Sequence, residues 1–151
     1  KANRLLFDDG RSSMFITVFY GILNTGTGTF TYVNAGHNPP LLVKADGTAV
    51  WLDAAKGIAL GVIDDVAIPP ATISLSAGDI LVLYTDGATE AFNEKDEYFG
   101  EERLMETVRR TRSLGAGDIL EAVVADIRTF AGAAPQSDDL TLVVIRVGQG
   151  R

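Results

Sequence analysis

The alternation of apolar and polar residues predicts strands in the first half of the chain. β-Branched and aromatic residues dominate residues 14–23, and apolar and polar residues alternate again at 29–36. Between them, residues 24–28 form a cluster of turn-forming residues. We interpret these three segments as a β-hairpin.

Further strands follow the hairpin. Short apolar runs at 41–43 and around 49–52 flank an Asp-Gly turn, and residues 71–76 alternate as expected for a half-solvated strand. Residues 80–84 are continuously apolar, which is typical of a central strand. The intervening residues 57–65 are punctuated by glycine and indicate no single element.

Helical periodicity dominates the second half. Residues 100–112 begin with glutamates and end with arginines, which suits the helix dipole. In residues 117–130, Asp118 is followed three positions later by Glu121, and we interpret Asp118 as the N-cap of a capping box. Residues 1–8 are expected to end a helix. Strands, then two helices, then a final strand predict an α+β fold, with mainly antiparallel sheets and packed helices.

Composition and charge narrow the functional classes. The 151 residues contain no repeat or linker, so we expect a single domain over 1–151. A formal net charge of -7 argues against nucleic acid as a partner. The absence of cysteine excludes thiolate metal sites and cysteine nucleophiles. Neither a membrane span nor a signal peptide is visible, and we expect a cytoplasmic domain without membrane contact.

Three aspartates stand where a loop meets a buried strand. Asp86 follows the strand at 80–84, and Asp138 and Asp139 precede the last strand. If the two strands are antiparallel neighbours, these carboxylates meet at one edge of the sheet, where a hard cation such as Mg²⁺ or Mn²⁺ would neutralise them. The alternative is that both segments are ordinary turns, in which aspartates bind backbone amides.

Other candidate residues are weaker. His37 is the only histidine, and it stands near glycine and two prolines. It could be a general acid or a metal ligand, but a histidine in such a loop more often bonds to a neighbouring loop. Ser137 lacks the glycine elbow of a hydrolase nucleophile. Residue 88 is alanine where the aspartyl nucleophile motif of haloacid dehalogenases requires a second aspartate.

Four segments taken together resemble one family. They read MFITVFYGIL, YVNAGHNPPLL, GDILVLYTDGATEAFN with FGEERL behind it, and PQSDDLTLVVIR. Their order and separations resemble the stage II sporulation E (SpoIIE-like) branch of the PPM-type metal-dependent serine/threonine protein phosphatases. The resemblance covers nearly the whole chain and implies the α-β-β-α sandwich of that family.

The resemblance also implies a site and a reaction. Asp86 and Asp138 would be catalytic ligands of two Mn²⁺ or Mg²⁺ ions, Asp139 would support them or bind a weaker metal, and Gly87 would allow close approach of backbone. The implied reaction is attack of a metal-activated water on phosphoserine or phosphothreonine. The implied partners are a phosphorylated anti-anti-sigma-type protein and an upstream sensor domain, and His37 would have a structural role.

The chain departs from the family pattern at its start. Family members carry an upstream Gly-Asp segment whose aspartate bridges both metals, and this sequence contains no counterpart. We therefore expect the C-terminal portion of the domain, with weak metal binding and poor hydrolysis by this chain alone. One alternative is a pseudophosphatase that acts as a protein-interaction module. Another is an unrelated metal-dependent phosphohydrolase of small molecules.

Overall fold

A computed structural model describes residues 2–8, 15–65 and 67–148, which form two compact units. The first unit comprises the chain up to Pro39 and Asp53–Leu75, and the second comprises Pro40–Leu52 and the chain from Ser76 onward. Each contains a four-stranded sheet. The predicted α+β fold with mainly antiparallel sheets is confirmed.

Helices and strands alternate in groups along the described residues. In chain order they are α1 (Ala2–Asp8), β1 (Val18–Asn24), β2 (Thr29–Ala35), β3 (Leu41–Val43), β4 (Ala49–Trp51), β5 (Lys56–Gly57), β6 (Ala71–Ser74), β7 (Ile80–Tyr84), α2 (Asp86–Thr89), α3 (Gly100–Thr111), α4 (Ala116–Ala131) and β8 (Leu142–Arg146). The first residue of the strand predicted at 14–23 lies outside the described residues, and the observed strand begins at Val18.

The first unit is built around β2. Strands β1 and β2 form the predicted antiparallel hairpin, with Asn24 opposite Thr29 at its closed end. Strand β6 pairs antiparallel with β2, whereas β5 runs parallel to it. The segment at 57–65, together with Lys56, thus contributes a two-residue strand that the sequence did not indicate, because two residues are too few to show a period.

In the second unit, β7 is a central strand. The sheet order is β4-β3-β7-β8, and every neighbouring pair is antiparallel. Four of the five β7 residues are buried, and the fifth, Leu83, is half-buried. A strand covered on both faces needs apolar residues at consecutive positions, which explains why the β7 sequence does not alternate.

Helices α3 and α4 pack on one face of this second sheet. Buried residues of both helices and of β3 and β7 form a single core cluster: Leu104, Val108, Ile119, Val123, Ile127, Leu41, Val43, Ile80, Val82 and Tyr84. The helical members recur every four residues within each helix, so they share a face. Among the described residues, no helix is both long and apolar enough to cross a membrane.

Helix α4 begins earlier than predicted. Its N-cap is Gly115, and Asp118 is the third residue of the helix. The prediction of Asp118 as the N-cap of a capping box is therefore wrong. A carboxylate in the first turn also favours the positive end of the helix dipole, so the same residue type is common at both positions.

Candidate metal centre

The pairing of β7 with β8 brings the three aspartates to one edge of the second sheet. Tyr84, the last residue of β7, lies opposite Leu142, the first residue of β8. Asp86 therefore leaves the sheet at the end where Asp138 and Asp139 enter it. The condition set by the sequence, that the two strands are antiparallel neighbours, is met.

Thr85 links the two carboxylate-bearing segments. Its backbone N–H donates to the carbonyl oxygen of Thr141 at 3.1 Å. Its hydroxyl donates to the carbonyl oxygen of Asp139 at 3.2 Å and accepts from the backbone N–H of Thr141, also at 3.2 Å. The sequence pattern does not indicate a role for Thr85, because spacing along the chain carries no signal for a contact with Asp139.

Gly87 allows the two backbones to lie close together. It is buried in the short helix α2, and a Cβ added there would collide with the carbonyl oxygen of Asp139 and lie 2.9 Å from its carbonyl carbon. Real Cβ atoms do not approach backbone this closely. The backbones of Gly87 and Asp139 therefore lie too close together for a side chain at position 87.

The carboxylates are exposed, and the backbone orients two of them. Asp86 Oδ1 accepts from the N–H of Gly87 at 3.0 Å, and Asp138 Oδ1 accepts from the N–H of Asp139 at 2.7 Å. Within the described residues, no ion pair includes Asp86, Asp138 or Asp139. Their negative charge is therefore not neutralised by a neighbouring cationic side chain of that part of the chain.

This donor set suits a hard divalent cation, because Mg²⁺ and Mn²⁺ prefer carboxylate oxygens. The turn interpretation also predicts the two amide bonds of Asp86 and Asp138, so these bonds alone do not distinguish a turn from a metal site. In the part of the chain that the structure describes, no group of three or more His, Cys, Asp or Glu residues is arranged to hold a metal ion. The edge carries three exposed carboxylates that do not enclose a cation site.

The end of the second sheet that carries Asp86, Asp138 and Asp139 is called the carboxylate edge below. A cleft of about 930 Å³ opens beside it. Gly87 and Asp139 line it together with Leu120, Val124 and Arg128 of α4. Its wall is therefore partly apolar and partly charged. The carboxylate edge adjoins this cleft through Gly87 and Asp139.

Tyr84 fixes the end of β7 to the core and to α3. Its hydroxyl donates to Oε1 of Glu101 at 3.2 Å, and its ring meets Trp51 edge-on with centroids 5.9 Å apart. Burial, together with the charge and hydrogen bond of Glu101, raises the pKa of Tyr84. The phenol therefore stays protonated at neutral pH. Its hydrogen bond and ring contact hold the residue two positions before Asp86.

His37 belongs to the first unit, where its ring meets a neighbouring segment. Its Nδ1 lies 3.1 Å from Oγ1 of Thr17. The side chain of Asn34 binds both the backbone N–H of His37, at 2.7 Å, and its carbonyl oxygen, at 2.9 Å. These contacts agree with a structural role for the histidine.

The chain is similar to known proteins over nearly its whole length. The family described as stage II sporulation protein E (SpoIIE) matches residues 1–148. Protein IcfG of Synechocystis sp. is 30% identical over 138 residues, which are 91% of this chain and 22% of that protein. Phosphoserine phosphatase RsbU of Bacillus subtilis is 28% identical over 144 residues, 95% of this chain and 42% of that protein.

A solved structure shows the same fold. The phosphatase domain of the cell fate determinant SpoIIE from Bacillus subtilis, presoaked with Mn, superposes with a TM-score of 0.65. The match covers 89% of this chain and 58% of that one at 18% sequence identity. With respect to the two curated relatives, IcfG and RsbU, the chain spans less than half the length of either. Since the family match extends over 148 of the 151 residues, this chain belongs to the stage II sporulation protein E (SpoIIE) family.

Proposed function

We propose that residues 1–151 form part of a single metal-dependent phosphatase domain that dephosphorylates phosphoserine or phosphothreonine in a regulatory protein. The observation that carries the proposal is the meeting of Asp86 with Asp138 and Asp139 at one end of the β7–β8 pair. Family membership supports it, as does similarity to a protein named a phosphoserine phosphatase.

The carboxylates of Asp86 and Asp138 would hold Mn²⁺ or Mg²⁺, with Asp139 beside them. When bound, such a cation supplies positive charge next to the phosphate and makes a water molecule more acidic. The backbone amides of Gly87 and Asp139 orient the two carboxylates, and the cleft beside Asp139 offers space for the substrate segment. This chemistry requires no covalent nucleophile, which suits a chain without cysteine.

We expect residues 1–151 to bind metal weakly when tested alone. Three carboxylates supply few oxygens for the two ions of the proposed centre, since a Mg²⁺ ion takes about six ligands and retains water only for some of them. Low occupancy of the site would then limit turnover.

The proposed substrate is a phosphorylated protein of the anti-anti-sigma type, and an upstream sensor domain would regulate the enzyme. Both proposals come from the family resemblance. The curated relatives are longer than the matched segments, which leaves room in those proteins for additional domains. A regulator of sigma factors would act in the cytoplasm, where transcription takes place.

Hydrolysis of a phosphoserine peptide in Mn²⁺ tests the proposal, with a chelator control. Asp86→Asn keeps the side-chain size and removes the charge, so activity should be lost. Asp53→Asn makes the same change at an exposed residue of the first unit and should leave activity unchanged. Chelator-insensitive hydrolysis, or full activity in Asp86→Asn, would contradict the proposed metal role.

A second candidate function is a protein-interaction module that keeps the fold without catalysis. The lack of a group of three metal-ligating side chains among the described residues favours it. Asp86→Asn distinguishes the two candidates in a partner-binding assay. An interaction module should keep its affinity for the unphosphorylated partner and show no Mn²⁺-dependent turnover in the wild type or in Asp86→Asn, whereas an enzyme should show turnover in the wild type that Asp86→Asn removes.

A further inference from the structure

We propose that the Thr85 hydroxyl is a positioning group that fixes the Asp138–Asp139 segment relative to Asp86. This inference rests on the proposed function, because the positioned carboxylates are the proposed metal ligands. Thr85 itself would touch neither metal nor substrate. Its effect would pass through the backbone of the facing segment.

The hydroxyl makes two bonds that hydrogen-bonding between strands does not supply. Any residue at position 85 could donate its N–H to the Thr141 carbonyl, as Thr85 does. The hydroxyl side chain, in contrast, both donates to the Asp139 carbonyl and accepts from the Thr141 N–H. The side chain therefore extends the β7–β8 pairing beyond its last register pair, Tyr84 and Leu142.

The Asp139 carbonyl is bound from one side and contacted from another. Thr85 Oγ1 lies 3.2 Å from its oxygen. Gly87 lies so close to the same carbonyl group that a side chain at position 87 would have no space. A movement of residue 139 would break the first contact or change the second. Since Thr85 and Gly87 flank Asp86, both contacts fix the position of the Asp138–Asp139 segment relative to Asp86.

Three variants of the 151-residue chain test this inference. Thr85→Val keeps the shape and removes both side-chain bonds, and Thr85→Ser keeps the hydroxyl. Thr129→Val is the matched control, because its hydroxyl donates only to the Ala125 carbonyl within α4. The readouts are the Mn²⁺ dissociation constant from electron paramagnetic resonance, hydrogen exchange of the Thr141 amide, and the melting temperature.

In Thr85→Val, we expect the Mn²⁺ dissociation constant to rise about tenfold, the low end of the effect of groups that orient metal ligands. The Thr141 amide, which loses its acceptor, should exchange at least about tenfold faster if the bond is broken in the native state. Thr85→Ser and Thr129→Val should stay within about twofold of the wild type in both readouts.

Unchanged Thr141 exchange in a folded Thr85→Val chain would overturn the inference, and so would unchanged Mn²⁺ affinity. If Thr85→Val does not fold, Thr85→Ser decides. Thr141 exchange and Mn²⁺ affinity that both match the wild type support the need for a hydroxyl, and altered values contradict it. If the wild-type chain binds no Mn²⁺, the proposed function fails. The Thr141 exchange then still decides whether Thr85 positions the segment.

Discussion

The ammonium of Lys44 lies 2.9 Å from Oδ2 of Asp79, and the Asp79 side chain is only 2% exposed. Asp79 also accepts from the backbone N–H groups of Ser76, at 2.9 Å, and Ala45, at 3.1 Å. Lys44 follows β3 and Asp79 precedes β7, so the pair joins two neighbouring strands where Val43 lies opposite Ile80. The pair lies at the end of the second sheet opposite to the carboxylate edge, and we expect it to stabilise that end.

Asp79→Asn should lower the free energy of unfolding by about 1–3 kcal/mol, because the amide cannot replace a charged acceptor of three hydrogen bonds. Urea unfolding at pH 7 measures the change. Asp53→Asn, at an exposed position, should be neutral within error. Equal unfolding free energies for Asp79→Asn and the wild type would show that burial of the charge cancels the gain from its partners.

The same pair predicts a dependence of stability on pH. Burial by itself raises the pKa of Asp79, but the hydrogen bond from Lys44, the amides of Ser76 and Ala45, and the charge of Lys44 outweigh burial and lower it. A lowered folded-state pKa stabilises the fold at pH values above the unfolded pKa, which is about 4. That stabilisation is lost as the pH falls through the folded pKa.

Urea unfolding between pH 7 and pH 3 checks this prediction. Below about pH 4, the wild type should lose more stability than Asp79→Asn, so the difference between the two should shrink with acid. A difference that stays constant down to pH 3 would contradict the lowered pKa.

Gly87→Ala should disturb the carboxylate edge specifically. The new Cβ would meet the Asp139 carbonyl, and the resulting backbone shift should cost about 1–3 kcal/mol. If the aspartates hold Mn²⁺ as proposed, its dissociation constant should rise by about tenfold or more. Unfolding and Mn²⁺ titrations measure both effects.

Gly117→Ala is the control for Gly87→Ala. Gly117 is also helical, in α4, and a Cβ there would meet nothing within 4 Å. Because alanine favours helix over glycine, this variant should be as stable as the wild type or more stable by up to about 1 kcal/mol. A Gly87→Ala chain that behaves like Gly117→Ala would show that residue 139 moves aside freely.

The sequence predicted what depends on local pattern. Strand β7 was predicted with its observed ends, because a buried central strand leaves five consecutive apolar residues between a turn and Thr85. Asp86 and Asp138 could be found because each stands at an abrupt change from apolar to polar residues. The antiparallel pairing that brings them together was only a condition in the sequence and is a finding of the structure.

What the sequence did not show depends on contacts between distant residues. Strand β5 exists because Lys56 and Gly57 pair with Asn34 and Ala35, and neither residue type favours a strand. The Thr85 hydroxyl reaches Asp139 across 54 positions of sequence. The shift of the α4 cap from Asp118 to Gly115 is a third case, since a carboxylate suits several positions of a first turn.

Asn34→Ala should destabilise the first unit more than any change of the His37 ring. Asn34 is fully buried, and its side chain binds the N–H and the carbonyl oxygen of His37. Its loss leaves two backbone groups without these partners, at about 1–3 kcal/mol. His37→Gln keeps both bonds, since they involve only the backbone of residue 37, and should cost clearly less. Thermal and urea unfolding of the two variants measures the difference. An equal or larger loss in His37→Gln would show that the ring, through its contact with Thr17, contributes at least as much to this turn as Asn34 does.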